Sequence, residues 1–104
     1  MARTRLREPE ARDLALRIAA ACPNREATTS WIKEKVPDHI QFTPIDLEPS
    51  DTRGQEQKWQ QIVGNVISHH ASPTSLFSRG LATRTEDGLI VTDAGIAYLK
   101  KKGF

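Results

Sequence analysis

Three groupings in this chain contain residue types that could do chemistry. The first is Pro37-Asp38 followed by Glu56-Gln57-Lys58, which satisfies the letter of a PD…ExK nuclease signature. In that signature two acids hold Mg²⁺ and the lysine helps activate a water. The chemistry needs both acids to converge from adjacent strands. Here the Glu-x-Lys opens a strongly periodic helical stretch, and Asp38 lies in the loop after another helix. The match is read as coincidence, and no enzyme activity is expected. The second grouping is His69-His70. Adjacent positions on a helix point about 100° apart and cannot both reach one tetrahedral ion. Cys22 and His39 lie far off in sequence, so neither a metal nor another cofactor is expected. The third grouping is Gln57, Gln61, Asn65 and Ser68, short polar groups recurring at helical spacing. Side-chain amides donate and accept at once, as the reading of a base edge requires.

The element that must position that third set is residues 55–70, QEQKWQQIVGNVISHH. Trp59, Ile62, Val63, Val66 and Ile67 fall at i, i+3, i+4, i+7 and i+8, one face of a 3.6-residue helix. Val and Ile are mediocre helix formers, so burial of this face must decide the matter. The opposite face reads Gln57, Gln61, Gly64, Asn65 and Ser68, with Lys58 on its shoulder and no acid. A solvated helix normally mixes Glu and Lys at i, i+4. The spacing therefore predicts a recognition helix over about 54–70, opened by Ser50-Asp51-Thr52. Its positive dipole end, beside Arg53 and Lys58, would suit a phosphate.

The remaining elements follow in order. Residues 1–7, with Arg3, Arg5 and Arg7 and little to bury, read as a flexible basic arm. Residues 8–104 then form one domain. Pro9 fits a first helical turn, with Glu8 and Glu10 on the favourable side of the dipole. That helix runs to about Ala21, with Ala11, Leu14, Ala15, Ile18 and Cys22 on one face. Leu16 and Ala20 lie off that face and are expected to be covered by a neighbouring part of the fold or by a second subunit. A second helix over 30–36 is capped by Thr29 and buries Trp31, Ile32 and Val36 before Pro37 stops it. In the long connection that follows, Thr43-Pro44-Ile45-Asp46 reads as a capped turn pinned by Ile40, Phe42, Ile45 and Leu47.

After the long helix, Gly80 closes a turn that carries Leu76 and Phe77. Strands are predicted at 81–84 and 89–92 around Asp87-Gly88, a strong hairpin signal. A hairpin directly after a recognition helix is a wing, and Arg84 would sit near its tip, beside Glu86 and Asp87. Thr92 caps a last helix over 93–101, whose Lys100 and Lys101 suit its dipole end.

At 104 residues the chain bounds a single modest core. Fifteen basic residues against thirteen acidic ones permit a nucleic-acid partner without requiring one. The single cysteine, Cys22, allows no internal disulfide and points to a reducing, cytoplasmic setting. No apolar run approaches ~18 residues, so no membrane partner is expected, and no secretory leader is recognised. Nothing points to a small-molecule ligand.

The order helix, helix, long amide-faced helix, hairpin, helix is that of a winged helix-turn-helix: an α+β, mostly helical fold with a three-helix core, a two-stranded wing and a C-terminal helix. Within it, Trp59-x-x-Ile62-x-x-Asn65-x-x-Ser68-His69, then Leu76-Phe77-x-x-Gly80-Leu81, then Val91-Thr92-Asp93-x-Gly95-x-x-Tyr98-Leu99 resembles the winged-helix domain at the N-terminus of Mrr-type restriction endonucleases. Thr43-Pro44-x-Asp46-Leu47 fits that family too. The resemblance spans most of residues 8–100 and implies a module that binds double-stranded DNA. It carries over no cleavage, which in those enzymes belongs to a separate nuclease domain. The expected contacts are Arg53, Gln57, Lys58, Gln61, Asn65, Ser68, Arg79 and Arg84, with the long helix in the major groove and the 81–92 hairpin on the backbone. The alternative is a protein-interaction winged helix, a subunit or adaptor of a restriction or phage-related system. In that reading an exposed Leu16 would form a homodimer or partner interface.

Overall fold

Two apolar faces on one helix set the architecture. In the computed structural model, residues 5–50 and 56–104 are described. Helix α1, Glu8–Ala20, starts with Pro9 in its first turn and buries Ala11, Leu14, Ala15, Leu16, Ile18 and Ala19. That set is too wide for one stripe, so α1 is packed on more than one side. It touches helices α2 (Thr29–Lys35), α3 (Lys58–Ser68) and α4 (Asp93–Lys101), and strand β3 (Gly88–Val91). Leu16 is 0% exposed, so the expectation of an exposed helix-1 interface there is corrected: this chain's own core covers it.

The described residues form a small α+β domain with four α-helices and a three-stranded antiparallel sheet in the order β1-β3-β2. Strand β2 is Ala82–Arg84, and β1, Glu26–Thr28, is an element the sequence reading did not contain. It pairs Ala27 with Leu89, while β2 pairs Thr83 with Ile90 on the other edge of β3. Asn24 and Arg25, both at positive φ, turn the chain from α1 into β1. The hairpin is where Asp87-Gly88 put it, for a different reason. Gly88 is not at positive φ; a Cβ there would lie 2.0 Å from the Ala27 carbonyl oxygen. The glycine is needed for the close approach of β1. The loop closes instead through Thr85, whose N–H donates to the Gly88 carbonyl (3.0 Å) and whose Oγ1 accepts from the Gly88 N–H (2.9 Å).

Several ends fall as local chemistry dictates. Thr92 Oγ1 accepts from the Gly95 N–H at 3.1 Å and donates to the Gly80 carbonyl at 2.7 Å, tying the cap of α4 to the preceding turn. Gly80, at φ +75, closes that turn while the Leu81 N–H reaches back to the Leu76 carbonyl. Helix α2 is capped by Thr28, one residue before the expected cap, and buries Ile32; Val36 is buried just past its end. Trp31, expected in the core, is 42% exposed and carries the Lys35 ammonium 4.6 Å above its ring. Trp59 does fill the core, stacked on Phe42 at 4.6 Å between ring centroids, whereas Leu47 faces outward.

The described helices include none long and apolar enough to cross a membrane.

Candidate nucleic-acid interface

The Gln57–Ser68 stripe is built by α3, and its N-terminal end is held by the connection before it. Pro49 and Gln57 form an isolated antiparallel bridge, with the Ser50 N–H on the Glu56 carbonyl and the Lys58 N–H on the Glu48 carbonyl, both at 2.8 Å. This keeps Gln57 extended, so the helix begins at Lys58 and not near 54. The expected opening by Ser50-Asp51-Thr52 gives way to Gln57 as the cap; Asp51, Thr52 and Arg53 lie outside the described residues. The phosphate expectation at this helix end also changes. The Lys58 and Trp59 N–H groups, which an anion would need, already donate to the carbonyls of Glu48 and Asp46.

Asp46 is the hub of this brace. It is 1% exposed, and its carboxylate accepts the Leu6 N–H at 2.6 Å and the Thr43 N–H at 3.0 Å. Thr43 Oγ1 accepts from the Asp46 N–H in return, the reciprocal capping expected of Thr43-Pro44-Ile45-Asp46. Leu6 is itself buried, so the stretch 1–7, expected as a free arm, has an anchored residue at position 6. The anchor places Arg5 in a cleft of about 120 Å³ shared with Leu6, Asp46, Lys58, Trp59, Gln61 and Ile62.

The expected contact residues fare unequally. The Gln57 carbonyl Oε1 accepts from the Trp59 indole N–H at 2.9 Å, and the Gln57 N–H donates to Gln60 Oε1 at 2.8 Å. Gln61 Oε1 accepts from the hydroxyl of buried Ser50. Ser68 donates back to the Gly64 carbonyl at 3.1 Å. Lys58 pairs with Glu48 at 3.0 Å, and nearby Lys33 pairs with Glu56 at 2.8 Å. From Lys58 to Ile67 no α3 residue is fully exposed, and Asn65 is half-buried. Arg84 stands exposed on β2. Arg79 is exposed too, with its guanidinium 5.0 Å from the ring centre of Tyr98 on α4.

The fold thus gathers Gln57, Lys58, Gln61, Asn65 and Ser68 on one stripe and adds Arg5 to it. The hairpin tip is tied down: the Asp87 carbonyl accepts both the N–H and the hydroxyl of Thr29, at 2.8 and 3.0 Å. Arg5 was visible in the sequence as part of a basic arm; its place beside Lys58 depends on Leu6 and Asp46, 40 residues apart.

Glu56 and Lys58 each pair with a different residue, and Asp38 ends a 3-10 turn after α2. Among the described residues no three His, Cys, Asp or Glu side chains gather as a metal site would require. His69 lies 3.9 Å from Glu8 and is exposed, as is His70.

Comparison of the chain with protein-family models, with curated proteins and with solved structures finds no match.

Proposed function

We propose that this chain is a winged-helix module that binds double-stranded DNA, held chiefly by the phosphate backbone and only weakly selective for sequence. The observation that carries the reading is topological. The succession α1-β1-α2-α3-β2-β3-α4, with strand order β1-β3-β2, supports the reading, since a winged helix would order its helices and strands in this way. The resemblance to the Mrr-type N-terminal domain points the same way.

The weak selectivity follows from the bonding of α3. Gln57, Gln61 and Ser68 already have partners within the fold, so each contact to a base edge would compete with an internal hydrogen bond. Among the described residues Asn65 has no side-chain hydrogen-bond partner, and it is the best placed to read a base. Arg5 and Arg84 have no carboxylate partner among the described residues, which suits them to phosphates. Affinity should therefore fall with salt as counterions are displaced. Fluorescence anisotropy with a random-sequence duplex at two salt concentrations tests this, with Arg5→Ala and Arg84→Ala expected to weaken all sequences alike.

A second reading, a protein-interaction module, is favoured by one observation. Lys58 and Lys33 are matched by Glu48 and Glu56, and the hairpin tip carries Glu86 and Asp87.

A further inference from the structure

On the side of α1 where its C-terminal end lies between α2 and α4, three shallow clefts join into one groove. The first, about 370 Å³, is lined by Arg17, Ala20, Ala21, His39, Ile96, Leu99, Lys100 and Phe104. The second shares Ala21 and His39 with it and adds Ile18, Cys22, Trp31 and Lys35. The third shares Cys22 and Trp31 with the second and ends at β1, beside Glu26 and Thr28.

The floor is aliphatic: Ile18, Ala20, Ala21, Ile96 and Leu99. The walls are aromatic and cationic. Trp31 carries the Lys35 ammonium over its ring, and Phe104, 52% exposed, carries the Arg17 guanidinium at 4.1 Å. Lys100 stands exposed on the same wall. No Asp or Glu side chain lines either of the first two clefts among the described residues; Glu26 enters only at the far end. A large exposed aromatic beside apolar floor residues and unopposed cations is unusual on a small domain and marks an interaction surface.

We infer that this groove docks an acidic amphipathic segment of a partner protein, with apolar side chains on the Ile18–Ile96–Leu99 floor and carboxylates against Arg17, Lys35 and Lys100. Charge complementarity selects the sign of the partner. The aliphatic floor selects a peptide over a single-stranded nucleic acid, whose bases would need open aromatic faces. Here a cation already sits over one face of each ring. The inference does not rest on the duplex reading, since none of the groove residues belongs to the α3 stripe or the hairpin.

The test uses the full chain, ¹⁵N-labelled, and a synthetic Glu-rich helix with Leu and Phe at i, i+3, i+4 and i+7. The peptide should shift the amide signals of Cys22, His39, Ile96 and Lys100 and the Trp31 indole signal. The double variant Lys35→Glu/Lys100→Glu should weaken binding about tenfold or more, as expected for charges facing the partner. Trp31→Ala, a surface truncation that leaves the core intact, should weaken it as well. Arg84→Ala should leave peptide binding unchanged while weakening duplex binding. No peptide binding, signal shifts elsewhere, indifference to the charge reversal, or displacement of the peptide from these residues by oligo-dT would each overturn the inference.

Discussion

The molecule has two cation-bearing surfaces of opposite construction. On the α3 stripe, Lys58 is answered by Glu48, with Lys33 of α2 paired to Glu56 nearby, and three of the amides and hydroxyls are answered by Trp59, Ser50 and the Gly64 carbonyl. In the groove beside α1, the cations Arg17 and Lys35 lie on aromatic rings, and among the described residues no Asp or Glu side chain lines the two clefts that hold them. A side chain's chemistry is set by what the fold leaves it to do. A row of amides signals a reading helix only where the preceding loop does not reach it first.

The largest effect that would break this comparison is expected at Trp59, the core anchor beneath the braced surface. Trp59→Ala should cost about 3–5 kcal/mol, measured by urea unfolding, because the cavity also removes the ring against which Phe42 stacks. Asp46→Ala should cost about 2–4 kcal/mol by the same measurement, since it leaves the buried Leu6 N–H and the Thr43 N–H without their acceptor. It should also release Arg5 from the side of Lys58. Hydrogen exchange at Leu6 would report that release directly. An unchanged Leu6 protection factor would show that the brace is not held by this carboxylate.

Smaller effects sharpen the contrast. Lys58→Ala should weaken duplex binding a few-fold for every sequence and reduce the salt slope by about 1, one phosphate contact fewer. If Lys58 stays committed to Glu48, neither quantity will move. Trp31→Ala should change stability by less than about 1 kcal/mol, against the several expected at Trp59, because nearly half of its surface is already in water. A loss comparable to that of Trp59 would mean that Trp31 belongs to the core after all.

What the sequence disclosed is mostly what depends on near neighbours. The Thr92 cap, the Gly80 turn, the extent of α4 and the apolar face of α3 all rest on residues within a few positions of each other. What it concealed depends on distant partners. Strand β1 is three residues long with only Ala27 buried, so it has no readable alternation and exists because β3 pairs with it. Gln57 is extended because of Pro49, and Leu16 is enclosed because α1 is packed on more than one side. Trp31 is expected in the core beside Ile32 and Val36, yet the short helix α2 buries only Ile32, with Val36 following it. The stripe residues were found on one face, as their spacing required. That most of them had partners could not be read, because Ser50 and Glu48 come from a loop without periodicity.

The most direct test of the duplex reading is anisotropy of a labelled random-sequence duplex titrated with the full chain at low and at near-physiological salt. Binding is expected at low salt, weakening steeply as salt rises, with little difference between sequences. Absence of binding at low salt, or an affinity that salt leaves untouched, would contradict it.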